Sequence, residues 1–283
     1  MKVLITGDKG FVGTETKKLL EKKGHSIIGY DIMDGFDIRD YEQFLDVAEY
    51  ENPDRVLHLS AIARFDEADN DPKRAFETNV LGTRNVARAC KKLCIPLVHA
   101  STGSVYMPIK KDGLISEDWP AIGNSVYACS KATAEKYVLE NNPYIILRYA
   151  HLYGKEKRNE GLIGNFIRRI EHDLEPELYG GKQSSDFCYI KDVAMANAIA
   201  LESSWDKWNN IYNIGTGEEI TIEDAGKEVC KAMKYKGEIK IKPSRVVDAS
   251  RFVYDMTKSK EKLGFDPKYK FKDGIKDMFN NCK

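Results

Sequence analysis

Thr6-Gly7-Asp8-Lys9-Gly10-Phe11-Val12-Gly13 decides the reading of this chain. It follows directly on a short apolar run, Lys2 to Thr6. It opens onto an amphipathic segment, Val12 to Lys23, with Val12, Leu19 and Leu20 on one side and lysines on the other. Strand, glycine-rich turn and helix in that order make a cradle for a pyrophosphate. Gly7 permits the tight turn, Gly10 lets the backbone approach the anion, and Gly13 lets the helix pack closely on the strand. The helix N-terminus then offers its free N–H groups. Asp31 stands at the end of the second strand, where a carboxylate binds both ribose hydroxyls and repels a 2′-phosphate. The turn therefore predicts dinucleotide binding, with NAD favoured over NADP.

Outward from the turn, β-branched runs alternate with amphipathic segments. Ser26 to Asp31, Arg55 to Ser60, Pro96 to Ser101 and Tyr144 to Tyr149 read as further strands, apolar at nearly every position as in a sheet buried on both faces. Pro72 to Leu93 and Ser125 to Glu140 read as helices. This alternation predicts an α/β fold, a doubly wound parallel sheet of Rossmann type. After about Gly154 the rhythm breaks, so a smaller C-terminal substrate-binding domain is expected. The division is residues 1–154 and 189–215 for the dinucleotide, and 155–188 and 216–283 for the substrate.

Composition sets the bounds. The 283 residues are 42% hydrophobic and 31% charged, a globular mixture, and 44 Lys plus Arg balance 44 Asp plus Glu. A formal charge of zero gives no general attraction to nucleic acid or to an anionic membrane. No apolar stretch approaches the ~18 residues of a membrane span, and the opening residues do not read as a signal peptide. The expectation is a soluble, cytoplasmic protein. Its six cysteines include no Cys-x-x-Cys and no ligand-spaced histidine, so they read as reduced thiols, with no metal site.

Tyr127 and Lys131 form Tyr-x-x-x-Lys, which places both side chains on one face of a helix. A phenol must lose roughly three pKa units to act as a base near neutrality, about 4 kcal/mol. A lysine ammonium one turn away, with a positively charged nicotinamide, can supply much of that. The spacing also occurs at Tyr106/Lys110, Tyr153/Lys157 and Tyr254/Lys258, but only Tyr127 and Lys131 lie on a helix between the fourth and fifth strands. Ser101-Thr102 ends the fourth strand, at the carboxyl edge where such sheets bind ligands. A hydroxyl there can hold a reacting oxygen.

Taken together, these residues resemble the extended short-chain dehydrogenase/reductase superfamily, and within it the NAD-dependent nucleotide-sugar epimerase/dehydratase family. Thr6 to Gly13 is similar to its T-G-x-x-G-x-x-G, Asp37-Ile38 to its adenine-contacting pair, and His58-Leu59-Ser60-Ala61 to its H-L-A-A. Asn79 to Thr83 resembles N-x-x-G-T, Ser101 to Tyr106 S-[ST]-x-x-V-Y, and Arg148 to Gly154 R-x-x-N-V-Y-G. The likeness continues through Tyr212 to Gly215, through Arg245, Asp248 and Asp255, and through Leu263 to Pro267. The resemblance implies Tyr127 as acid/base, Lys131 as its electrostatic partner and Thr102 as the hydroxyl that orients the substrate oxygen. It implies cofactor contacts from Gly7, Gly10, Phe11, Val12, Gly13, Asp31, Asp37, Ile38, Leu59, Ser60, Ala61 and Asn79, besides Tyr127 and Lys131. Substrate contacts would come from Gly103, Ser104, His151, Gln183 and Arg245, the last on a nucleotide diphosphate.

Departures from the family pattern narrow the chemistry. Gly103-Ser104 replaces the Asp-Glu of sugar 4,6-dehydratases, which argues against dehydration. His151 stands where Asn is usual, Lys155 where Pro is usual, and Ser185 where an Arg commonly precedes Asp-Phe, which removes a bidentate diphosphate contact. Lys182 or Arg251 would then hold the nucleotide, or the substrate departs from an ordinary nucleotide sugar. The leading expectation is an NAD-dependent nucleotide-sugar epimerase acting at C4. The alternatives are an NAD(P)H-dependent reductase or dehydrogenase of a 4-keto nucleotide sugar, and a non-catalytic dinucleotide-binding protein. The resemblance also implies a homodimer through the helices at Pro72 to Leu93 and Ser125 to Glu140.

Overall fold

The computed structural model describes residues 1–107, 113–140, 143–155, 161–243 and 250–280. The chain begins β1 (Lys2–Thr6), α1 (Phe11–Lys22), β2 (Ser26–Tyr30), α2 (Tyr41–Glu51), β3 (Arg55–His58). It continues through α3 (Phe65–Asn70), α4 (Pro72–Phe76), a π-helical stretch Glu77–Gly82, α5 (Thr83–Lys92), β4 (Leu97–Thr102), α6 (Val126–Leu139) and β5 (Tyr144–Tyr149). Short elements follow: β6 (His151–Tyr153), α7 (Leu162–Glu171), β7 (Glu177–Tyr179), β8 (Ser184–Ser185), β9 (Phe187–Tyr189) and α8 (Ile190–Glu202). The last are β10 (Asn210–Ile214), β11 (Ile220–Thr221), α9 (Ile222–Ala232), β12 (Lys240–Lys242), β13 (Arg251–Phe252) and α10 (Phe271–Asn280).

Six parallel strands form the main sheet in the order β10-β5-β4-β3-β1-β2, as the alternation predicted. The chain leaves β1 toward β2 on one side and returns to β3 on the other, so the order reverses between β1 and β3. Open α/β sheets bind ligands at that crevice, beyond the carboxyl ends of the strands. The β11-β8-β13, β12-β7 and β6-β9 pairings make three small sheets after residue 150.

Period-two alternation of the strands divides the core. Val3, Ile5, Leu57, Val98, Ile145 and Leu147 join one apolar cluster, which also takes in the C-terminal elements; Leu4, Val56, Leu97 and Ile146 join another with α2 and α5. Five predicted strands match within two residues. The helix expected over Pro72 to Leu93 is instead α4, a π-helical turn and α5. Apolar spacing does not reveal that extra residue per turn, because it shifts the burial pattern by only one position.

Candidate active site

The glycine turn sits at the crevice. Gly7 has φ +72°, and a Cβ there would lie 2.9 Å from the Ser60 backbone nitrogen. A Cβ on Gly13 would lie 2.7 Å from Asp8 Cα and closer still to the Gly7 carbonyl. No side chain caps α1 at Gly10, so the N–H groups at Phe11, Val12 and Gly13 face the turn as an anion site. Asp31 ends β2 largely buried, and its carboxylate accepts the Lys9 N–H (3.2 Å) and the Met33 N–H (2.9 Å). Lys9 in turn pairs with Asp34. A backbone cradle that only glycine fits, beside a fixed carboxylate, suits the pyrophosphate and ribose of a dinucleotide.

Other residues expected at the cofactor sit as follows. Asp37 is chelated by Arg39, whose bonds hold its carboxyl below the usual range. Ile38 is buried against Gly82, and its carbonyl accepts from Asn85. The Leu59 and Ser60 N–H groups both reach Thr6 Oγ1 at 3.2 Å, which locks the end of β3 to the glycine turn; Ala61 follows in the same loop. Asn79 is fully buried, and its amide bonds the Ile62 backbone on both sides and Ser130 Oγ, tying the π-helical turn to that loop and to α6. Within the chain, Asn79 joins elements around the cofactor site.

Ser125 caps α6 by accepting the Ala128 N–H, which starts the helix at Val126, one residue before Tyr127. Thr102, at the end of β4, accepts the Ser104 N–H, and its hydroxyl stands near the Tyr127 phenol. Burial drives that phenol above its ordinary pKa, and the Thr102 hydroxyl opposes the rise. Lys131 is itself fully enclosed, its pKa pulled down to about 8 by burial against the pull of Glu135. Its ammonium donates to the Ala100 carbonyl at 2.8 Å. Phe65, half-exposed on α3, meets the Tyr127 ring edge-on at 5.2 Å. The sequence reading did not single Phe65 out, since a lone aromatic in a charged loop carries no spacing signal.

Gly103 and Ser104 form the turn after Thr102, and a Cβ on Gly103 would collide with the Phe252 ring and the Tyr254 hydroxyl. Two of the departures meet each other: the Ser185 hydroxyl and His151 Nδ1 are 2.6 Å apart, and the imidazole stands edge-on to Phe252. Gln183 donates back to the Tyr179 carbonyl. Arg251, considered as a nucleotide ligand, bonds Glu219 and the Gly113 carbonyl. Arg245 and Asp248 lie outside the described residues.

Behind Tyr127 and Lys131 lies a polar network that sequence reasoning missed. Glu135, one turn beyond Lys131, takes two bonds from Arg148 of β5 (3.0 and 2.7 Å) and one from Ser101. Arg148 reaches the Tyr106 hydroxyl at 2.8 Å, and Tyr106 reaches Asn213 of β10 at 2.7 Å. The i, i+4 step from Lys131 to Glu135 was the available signal.

Residues 3–215 match the family model of the NAD-dependent epimerase/dehydratase family. The chain is 30% identical to a putative UDP-glucose 4-epimerase of Methanocaldococcus jannaschii over 99% of this chain and 98% of that one. It is 27% identical to a UDP-N-acetyl-alpha-D-glucosaminuronate decarboxylase of Bacillus cytotoxicus, over 97% and 95%. A crystal structure of UDP-glucose 4-epimerase from Thermus thermophilus, in complex with NAD, superposes with a TM-score of 0.88 at 31% identity, covering all of both chains. With its parallel sheet, its glycine cradle and these matches, the chain belongs to the NAD-dependent epimerase/dehydratase family, whose cofactor is NAD.

Proposed function

We propose that this protein is a nucleotide-sugar epimerase, acting at C4 through a transient 4-keto sugar. One observation carries the choice within the family: Gly103 is wedged between Phe252 and Tyr254, so the position after Thr102 offers no room for the acid that dehydration needs. The glycine turn and Asp31 would hold NAD, which when bound would supply hydride-accepting and hydride-donating chemistry at the sugar carbon. Thr102 holds the C4 oxygen beside Tyr127. Tyr127 takes the hydroxyl proton as that carbon is oxidised and gives it back after the keto sugar has turned its other face. Lys131 holds a positive charge close to the phenol, and burial of both keeps water from screening it. Gly103, Ser104, His151, Gln183 and Arg245 are assigned to the sugar and its diphosphate. The His151–Ser185 pair takes the place of an amide and a guanidinium there.

The larger unit, residues 1–154 and 189–215, serves the cofactor, and residues 155–188 and 216–283 serve the substrate. We assign the protein to the cytoplasm as a homodimer joined through α4–α5 and α6, whose outer faces expose Phe76, Leu81 and Leu139. Among the described residues no helix is long and apolar enough to cross a membrane.

A second reading, a reductase of a 4-keto sugar, uses the same three catalytic residues. Isomer formation at constant dinucleotide supports the epimerase; product formed only as NADH is consumed supports the reductase. Tyr127→Phe should lower turnover by about 10²–10⁴-fold by either route, and Thr102→Val should lower it as well.

A further inference from the structure

A buried polar row crosses the sheet beneath the active site. Thr6 of β1 is in register with His58 of β3, and His58 with His99 of β4. All three point to the face covered by α5 and α6. Thr6 Oγ1 already accepts the Leu59 and Ser60 N–H groups, so its own proton goes to His58 Nδ1, 2.7 Å away. His58 Nε2 then carries the ring hydrogen and donates to Thr83 Oγ1 at 2.9 Å. His58 is thereby fixed as a neutral imidazole of one tautomer.

His99 differs. Its ring tilts against that of His58 at 5.1 Å, it is fully buried, and its Nδ1 has no hydrogen-bond partner among the described residues. Its Nε2 lies 3.4 Å from Lys131 Nζ. An ammonium has three protons; one goes to the Ala100 carbonyl, and His99 Nε2 stands ready for a second.

We propose that His99 is a positioning residue for catalysis: its Nε2 accepts a hydrogen bond from the Lys131 ammonium, so that Lys131 is held and kept charged with its remaining proton free for the Tyr127 side of the site. This rests on Tyr127 and Lys131 being the catalytic pair. The imidazole suits the task because it stays neutral. Burial, then Lys131, then His58 hold its pKa well below the ordinary value. The charged and titratable groups around Lys131 are then Tyr127 and Glu135 on its own helix, His99 on β4, His58 on β3, and Arg148 of β5 acting through Glu135. Without an acceptor at position 99, the ammonium is less stable in its enclosed site, and the phenol loses a positive neighbour.

The test is the titration of Tyr127 in the NAD-loaded protein, read as tyrosinate absorbance after subtracting the Tyr127→Phe variant, with no sugar present. His99→Leu should move that titration up by about one pH unit, the scale of a bond to a charged donor. His99→Gln, whose amide oxygen accepts, should return most of the shift; His99→Met replaces His99→Leu if the branched side chain prevents folding. A Tyr127 titration at the wild-type position in the Leu or Met variant overturns the proposal, as does a Gln variant shifted as far as they are. Lys131→Met is the control. If it leaves Tyr127 unmoved, the catalytic pairing fails and takes the proposal with it. Absence of epimerase activity alongside the expected shifts would count against the proposed reaction alone.

Discussion

Arg148→Met tests whether the buried network behind the active site is held by charge pairing. In the folded chain the Glu135 and Arg148 side chains are 3% and 4% exposed and share two hydrogen bonds. Removing the guanidinium leaves Glu135 with Ser101 as its hydrogen-bond donor among the described residues, while Tyr106 keeps Asn213. An uncompensated buried carboxylate of this kind costs about 3–5 kcal/mol. For a chain of this length that corresponds to a melting temperature lower by roughly 10 °C. Replacing both partners with apolar residues removes the stranded charge, so Glu135→Leu/Arg148→Met should recover most of the loss. Differential scanning calorimetry of the wild type, both single variants and the double variant reads the coupling directly. A single variant within about 2 °C of the wild type, or a double variant no more stable than Arg148→Met, would refute the reasoning.

Three further outcomes follow from the same geometry. Gly13→Ala forces a Cβ into the Gly7 carbonyl and Asp8 backbone, and should cost about 1–3 kcal/mol of stability with loss of NAD binding; calorimetric titration with NAD checks it. Tyr127→Phe should lower turnover by about 10²–10⁴-fold and leave NAD affinity within a few-fold, as measured by kinetics and by dinucleotide titration. Stability should also fall in mild acid. Burial, then Lys131, depresses the folded pKa of His58 to about 3, so the unfolded chain takes up a proton below its ordinary 6.5 while the native chain does not. Stability from this group is therefore complete above that value and lost as the pH falls toward 3. At about 1.4 kcal/mol per pH unit, His58 alone removes about 2 kcal/mol by pH 5, and His99, also held below its ordinary value by burial, adds a loss of the same sign. Urea unfolding at pH 7 and pH 5 should show His99→Gln losing less stability than the wild type; equal losses would sink the idea.

The cofactor half of the site is legible because its physics is local. Gly7, Gly10, Gly13 and Asp31 lie on one strand–turn–helix–strand unit, and short-range spacing fixes their geometry. Tyr127 and Lys131 are legible for the same reason, as one helical turn set after a sheet strand. What escapes the linear reading comes together across strands. His58 and His99 are 41 positions apart and meet only through the β3–β4 register. Glu135 and Arg148 meet because α6 crosses β5. The π-helical turn that aims Asn79 at Ile62 leaves no periodic trace. At the substrate end, the unusual residues are visible singly at 151 and 185, but that they meet follows only from the pairing of β6 with β9, which sets His151 opposite Phe187, two residues on from Ser185.

Epimerisation at C4 is read by a proton NMR time course of the purified protein with UDP-, dTDP- and GDP-hexoses, with and without added NADH. A new anomeric signal should grow to equilibrium while total NADH stays constant, and grow about 10²–10⁴-fold more slowly with Tyr127→Phe. A spectrum that changes only as NADH is consumed, or that shows a 4-keto-6-deoxy product, would contradict it.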